Sequence, residues 1–242
     1  MNFVIDIGNT QVKAAVFELD KLLGDFVFEE KELSKKVNEI ASSYPIHNCI
    51  LSSVKGTNKE MIALLQQFSV FIELSSSTKV SFKSLYTTPS TLGIDRIALV
   101  AAASAQFPKK NVLIIDAGTC ITYDLLTAQN EHLGGAISPG VLMRYKSLNY
   151  YTSKLPELSI SQYFSLVGDS TESSIHSGVI NGVIHEINGV VNQYIEKFED
   201  LTVVLTGGDT KFLSKQLKNS IFATQNFLLY GLNEILTFNI QE

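Results

Sequence analysis

The period of apolar and polar positions changes several times along the chain, and each change marks an element. Phe3-Val4-Ile5-Asp6-Ile7 is an apolar run interrupted by an acid near its end; Gly8-Asn9-Thr10 follows, and a β-like pattern resumes over 12–19. Val112-Leu113-Ile114-Ile115-Asp116-Ala117-Gly118-Thr119, continued by a second β-like run over 121–126, repeats that plan. Runs of this length bounded by Gly and Asn read as strand, tight turn, strand. Glycine at the third place of each turn allows φ > 0 and a close approach of the backbone to a ligand, and Thr10 and Thr119 add hydroxyl donors. Such a turn suits phosphate oxygens. Two copies point to two related halves that hold one nucleotide from opposite sides of a cleft.

Between the two turns, 26–28 reads as a third strand. Leu33, Val37, Ile40 and Ala41 recur at helical spacing until Pro45, Cys49-Ile50-Leu51 is a buried strand, Met61, Leu64, Leu65 and Phe68 mark a helix, and 70–74 is a strand. Strand and helix alternate here, so the sheet extends in parallel. A polar loop at 75–78 precedes the stretch 86–96, which carries Tyr86, Pro89, Gly93, Asp95 and Arg96 and runs into an Ala-rich helix at 97–106. Pro108-Lys109-Lys110-Asn111 then divides the chain into halves of 1–110 and 111–242. In the second half a strand at 132–139 leads into a helix at 141–148. Asp169 with Glu172 fits a capping box for a long helix carrying Ile175, Val179, Val183, Ile187, Val191 and Phe198. Gly178 and Gly182, one turn apart inside it, call for a compensating contact within the subunit or across a dimer, because each costs about 1 kcal/mol relative to Ala. A strand at 201–205, a turn at Thr206-Gly207-Gly208-Asp209, and helices at 210–217 and 227–238 close the chain.

Composition narrows the partner. With 242 residues, 45% of them hydrophobic, the chain can bury a sizeable core. The net charge of -5 and the lack of Lys/Arg runs argue against nucleic acid and for a small-molecule partner. Cys49 and Cys120 are the two cysteines; lacking metal-ligand spacing, they read as reduced cytosolic thiols. With the first strand starting at the second or third residue and the longest apolar stretch only 97–105, the expectation is a cytoplasmic protein without signal peptide or membrane span.

The candidate chemistry competes with plainer readings. The turn at Asp6 to Lys13 could be an ordinary hairpin, with Lys13 a solvated strand residue, and its echo at Asp116 is what favours phosphate. Neither a P-loop nor a dinucleotide fingerprint occurs. His47, His132, His176 and His185 lack metal spacing and read as surface or satisfied core. Asp95 is either a helix N-cap or a base that accepts the proton of an attacking hydroxyl. Arg96 can grip a carboxylate or phosphate with its planar fork, and Tyr86 would line an acceptor pocket. Asp116 suits a metal ligand or an acid tied to backbone amides, Asp124 has no assigned role, and Gly207-Gly208 is a strand-to-helix turn or a place for adenine or ribose.

Asp6-x-Gly8-Asn9-Thr10-x-x-Lys13, Tyr86-x-x-Pro89-x-x-Leu92-Gly93-x-Asp95-Arg96, Asp116-x-Gly118-Thr119, Gly134-Gly135-x-Ile137-x-Pro139-Gly140 and Leu205-Thr206-Gly207-Gly208 together resemble the type III pantothenate kinase family, in its order and over most of the chain. The two acid-glycine-threonine turns alone indicate only the wider superfamily of acetate and sugar kinases, Hsp70 and actin; the Tyr86 to Arg96 stretch narrows it. The resemblance implies an α/β, duplicated ribonuclease-H-like (actin-like ATPase) fold, a homodimer, and ATP-dependent phosphorylation of pantothenate, the first step of coenzyme A synthesis. It implies that Asp6, Ile7, Gly8, Asn9, Thr10, Gln11, Val12, Lys13 and Thr119 bind ATP, accompanied by Mg2+. Tyr86, Gly93, Ile94, Asp95, Arg96 and Thr171 would bind pantothenate, with Asp95 as general base. Asp116 would hold a monovalent cation, K+ or NH4+. Cys120 and the Asp169-Ser170 pair before Thr171 depart mildly from the family pattern. Rival expectations are a kinase of another small hydroxylated acid or sugar, and an ATP-gated actin-like interaction protein.

Overall fold

The computed structural model of the chain describes residues 1–217 and 221–241. They form two compact units, one of 1–108, 130–132 and 226 onward, the other of 109–129 and 133–225. The C-terminal helix, expected with the second half, packs with the first.

The first unit is built on β1 (Asn2–Ile7), β2 (Val12–Glu18), β3 (Lys21–Phe28), α1 (Leu33–Ser43), β4 (Asn48–Ser53), α2 (Lys59–Leu65) and β5 (Val70–Glu73). Their sheet runs β3-β2-β1-β4-β5. β1 is antiparallel to β2 and parallel to β4, and β5 continues the parallel side. β3 begins earlier than the expected 26–28 because a turn at Asp20 folds it straight back on β2, with Glu18 opposite Lys21 and a register shift at Val16/Phe17. All of β1 is buried, so its two faces need separate cover. Phe3, Ile5 and Ile7 pack with Val37, Ile40, Met61 and Leu65 of α1 and α2. Asn2, Val4 and Asp6 alternate to the other face. There the chain places α8 (Phe227–Ile240), which contacts β1 and β4, and α3 (Ile94–Gln106), which contacts β4 and α8. Asn233 of α8 accepts from Asn2 Nδ2 at 2.9 Å and donates to the Leu19 carbonyl at 2.8 Å.

The second unit repeats the order. β7 (Val112–Ala117), β8 (Cys120–Leu126), β9 (Glu131–Pro139), whose first two residues belong to the first unit, α4 (Val141–Tyr150), α5 (Thr171–His176), α6 (Gly182–Lys197), β10 (Thr202–Thr206), α7 (Thr210–Leu213) and β11 (Phe222–Ala223) follow one another. The sheet order β9-β8-β7-β10-β11 is that of the first unit, with antiparallel β7/β8 and parallel β7/β10/β11. Leu113, Ile115 and Ala117 pack with Val179, Val183, Ile187 and Leu213.

Three expectations are corrected here. The cap of α5 is Ser170, which exchanges hydrogen bonds with Ser173, and Asp169 instead accepts from the Ser173 hydroxyl. The long helix is interrupted by a π turn at Ser177–Asn181, where Ser177 and Asn181 bind the carbonyls of Leu166 and Ser165. A side chain at Gly178 or Gly182 would meet no other described residue within 4 Å, so the within-subunit alternative for these glycines finds no described neighbour. The sequence reading also omits β6 (Lys83–Ser84), too short to leave a periodic signal. α7 ends four residues earlier than expected.

α8 braces α3. Gly231 comes so near α3 that an added methyl group would fall on the Ala98 carbonyl. Gly231→Ala is expected to cost about 1–3 kcal/mol, read as a lower urea midpoint at unchanged slope. An unmoved midpoint would show that the two helices can part freely.

Candidate active site

In the first unit, Asp6 lies one residue from the C-terminal end of the buried central strand, in register with Lys13 on β2 and with Ser52 on β4. It is 9% exposed. Burial pushes its carboxyl up to about 6 from an ordinary 3.8; the Ser52 hydroxyl and the Lys13 ammonium pull it down, and the Asp95 charge adds to the rise. Ser52 Oγ is buried and outside strict hydrogen-bond geometry with any described group, so its help to Asp6 is that of a nearby dipole. The turn after Asp6 closes with Gly8 N–H on the Gln11 carbonyl at 3.1 Å, and leaves Asn9, Thr10 and Gln11 exposed.

Asp95 and Arg96 stand in the first turn of α3. The helix starts three residues earlier than the expected 97, with Gly93 as its N-cap and Ile94 as its first residue, so Asp95 is not the cap. Asp95 Oδ1 accepts the Arg96 N–H at 2.8 Å. Arg96 is 4% exposed, with its guanidinium 5.3 Å from the centre of the half-buried Tyr86 ring. The first unit therefore brings Asp6, Lys13, Asp95, Arg96 and Tyr86 into one neighbourhood.

The second unit has its own cluster. The turn after Asp116 is one residue shorter: Ala117 pairs with Ile121, where Ile7 pairs with Val12. Gly118 N–H meets the Cys120 carbonyl at 2.9 Å, Gly140 N–H the Thr119 carbonyl at 3.1 Å, and Asp209 N–H the Ala117 carbonyl at 2.9 Å. Gly207, at φ 96°, is the residue whose backbone requires glycine, since a Cβ there would strike Asp116 Oδ1 and the Ala117 carbonyl. The expectation of positive φ at the two turn glycines fails: neither Gly8 nor Gly118 has it, and a Cβ on Gly118 would touch nothing within 4 Å. Thr171 opens α5 and lines a 990 Å3 cavity with Arg144, Asp169, Ser170 and Ile175, a cavity that no residue of this turn lines. Asp124 is buried on β8, where its charge helps raise the Tyr194 phenol, mainly lifted by burial.

Sequence reasoning missed a polar cluster beside that cavity. Arg144 of α4 bonds Glu186 of α6, Ser138 Oγ and the Pro139 carbonyl, and Tyr123 donates to Glu186 at 3.0 Å. Burial works to raise the Glu186 carboxyl, but Arg144, Ser138 and Tyr123 together hold it below its ordinary value. The partners lie on separate elements, so no local spacing announces them. His132, read as surface or core, is fully buried against Tyr86.

Two copies of one β-sheet plan, each with an acid at the end of its first strand and a glycine turn behind it, define an α/β fold of the duplicated ribonuclease-H-like, actin-like ATPase class. Solved structures share it at identities that speak for fold alone. A putative Baf family transcriptional activator from Campylobacter jejuni is 23% identical with a TM-score of 0.63, over 99% of this chain and 100% of that one. Glucokinase from an Antarctic psychrotroph is 14% identical with a TM-score of 0.55, over 98% of each. The model of the type III pantothenate kinase family matches residues 2–193. A type III pantothenate kinase of Christiangramia forsetii is 52% identical over 240 residues, covering 99% of both chains. The chain belongs to the type III pantothenate kinase family, and its activity is that family's phosphorylation of pantothenate.

Asp6 gives a pH signature. Its raised carboxyl means that the folded protein holds this proton more tightly than the unfolded chain, so the contribution is complete below pH 3.8 and lost as pH rises through about 6. Relative to wild type, Asp6→Asn is expected to gain about 3 kcal/mol between these limits and to level off above them. Urea unfolding of both proteins across pH 4–8 checks it; parallel curves would remove the buried charge from the account.

Proposed function

We propose that Asp95 is the general base of the transfer from ATP to pantothenate. The observation that carries this reading is the placement of Asp95 and Arg96 in the first turn of α3, close enough to Asp6 for the Asp95 charge to raise it. The Asp95 carboxylate is held there by the Arg96 backbone N–H at 2.8 Å. Asp95 takes the proton of the pantothenate primary hydroxyl; that oxygen bonds to the γ-phosphorus as the bond to the β-phosphate oxygen breaks, and ADP leaves. Tyr86, Gly93, Ile94 and Arg96 hold the acceptor, and Arg96 supplies a fixed positive fork. Thr171 is assigned to the same acceptor.

The Asp6 to Lys13 turn and Thr119 are assigned to ATP, with Lys13 facing the phosphates. Among the described residues no three His, Cys, Asp or Glu gather into a metal cluster. One buried, incompletely neutralised carboxylate is what Mg2+ ordinarily takes from a protein when nucleotide phosphates supply its other ligands, and Asp6 fits that role. When bound, Mg2+ neutralises phosphate charge. Asp116 Oδ1 and the Ala117 carbonyl, with Gly207 leaving room beside them, form a hard-oxygen pair suited to K+ or NH4+.

We also assign a homodimer and a cytoplasmic setting. The first is supported by the exposed Gly178 and Gly182, whose packing compensation no described part of the chain supplies. The second is supported by two free thiols. No helix among the described residues is long and apolar enough to cross a membrane.

An ATP-to-ADP assay with pantothenate, in potassium and in sodium alone, is expected to show turnover that needs pantothenate and potassium. Asp95→Asn should lose about 10²–10⁴-fold in kcat with ATP affinity kept; near-wild-type turnover would end the base assignment. Gly118→Ala is a separate check on the nucleotide turn. Among the described residues nothing opposes the added methyl, so stability should change by about 0.5 kcal/mol or less, while the KM for ATP rises. An unchanged KM would detach this turn from the phosphates.

A further inference from the structure

Residues 130–132 belong to the second half by sequence and to the first unit by packing. They hold the segment that ends at Tyr86. Lys83 and Ser84 pair in parallel with Glu131 and His132, the Lys83 N–H meets the Asn130 carbonyl at 3.0 Å, and the Leu85 N–H meets the His132 carbonyl at 2.9 Å. Asn130 adds side-chain ties, donating to the Ser81 carbonyl at 2.7 Å and accepting from Ser104 Oγ at 2.8 Å. Ser104 lies on α3, the helix whose first turn carries Asp95 and Arg96. The same short segment therefore touches both the Tyr86 strand and the Asp95 helix.

The His132 ring completes the arrangement. It is fully buried, edge-on to Phe82 at 6.1 Å, and parallel to Tyr86 within 2° at a centroid distance of 6.2 Å. The Tyr86 ring also receives the Arg96 guanidinium at 5.3 Å. Tyr86 otherwise lies between exposed residues, Lys83 to Leu85 before it and Thr87 to Thr91 after it. A flat buried partner fixes the plane of such a ring before the substrate arrives, which lowers the ordering cost of binding.

We propose that His132 is a positioning residue for the acceptor: its buried ring orients Tyr86, and through Tyr86 the Arg96 guanidinium, while Asn130 locks the segment to α3. This rests on the reading of Tyr86 and Arg96 as acceptor-binding residues. Sequence proximity could not reveal it, because His132 acts on a strand formed much earlier in the chain.

The test is steady-state kinetics of the full chain with each substrate varied, together with thermal melts. His132→Leu keeps an apolar group in the buried site but removes the flat face. It is expected to raise the KM for pantothenate about three- to tenfold, with kcat and the KM for ATP within about twofold of wild type. His132→Phe returns a ring and should bring the pantothenate KM back to within about twofold. In the Tyr86→Ala background, His132→Leu should add nothing, since the ring it orients is gone. Equal changes in both KM values, a loss of thermal stability with no kinetic change, or no rescue by phenylalanine would make His132 a plain core residue and overturn the proposal. If Tyr86→Ala alone leaves the pantothenate KM unchanged, the acceptor reading beneath the proposal fails instead. Should His132→Leu not fold, Asn130→Gly suits the backbone at φ 62° and removes only the side-chain ties. A selective rise of about threefold in pantothenate KM supports the lock, and an unchanged value overturns it.

Discussion

A carboxylate buried near the end of a central strand is the constraint around which the first unit is arranged. β1 is covered on both faces, so the acid that alternates to the α3 side at Asp6 loses most of its water. Desolvating a charge is costly unless partners replace the solvent. Lys13 and Ser52 are the partners the sheet can offer in register, and they compensate only in part. Asp95 on α3 makes the local balance more negative. A cationic or metal-bearing ligand gains what the protein alone leaves unmet, because binding to the folded form then relieves a cost already present. The helices behind the sheet are tied together: α8 packs closely on α3 through Gly231, and α3 carries the Asp95 charge that adds to the rise at Asp6.

The two acid-bearing turns are related but not interchangeable. The first spans one more residue between its last ladder pairs and keeps Lys13 opposite its acid. The second places Thr122 opposite Asp116 and is walled by Gly140, Gly207 and Asp209. One acid thus stands in register with a lysine and the other with a threonine. This asymmetry follows from sequence differences at equivalent places and gives the two acids different surroundings on one sheet plan. The turn glycines differ from their expected role as well. Since neither Gly8 nor Gly118 needs a positive φ, their value lies in what they keep clear above the backbone, whereas Gly207 answers a true backbone requirement.

What could be read from the chain was what is local in it. Both hairpins, the parallel extension through β4 and β5, and the Tyr86 to Arg96 stretch announce themselves by alternation, glycine and acid within a few residues of one another. Boundaries set by competition between neighbouring groups were misread: Ser170 rather than Asp169 caps α5 because Ser173 can answer it reciprocally, and α3 begins at Ile94 because Gly93 can stand as a cap. Contacts between distant segments left no signal. The Arg144–Glu186–Tyr123 cluster, Ser52 beside Asp6, and the transfer of α8 to the first unit depend on register and packing that no spacing rule contains.

The acceptor side we propose shows why that division matters for function. Apart from Thr171, its proposed residues are nearly contiguous, which is why Tyr86, Asp95 and Arg96 could be singled out together. Asp95 and Arg96 are held in the first turn of α3, but Tyr86 sits on an exposed stretch, where backbone and side chains retain conformational freedom. In our proposal its precision comes from Asn130 to His132, which hold the Tyr86 segment through strand pairing, a hydrogen-bonded side chain and a buried ring. The reactive groups can therefore be encoded in one linear motif while their orientation is encoded in another. A chain that kept the first and lost the second would retain the recognisable motif and hold its acceptor poorly.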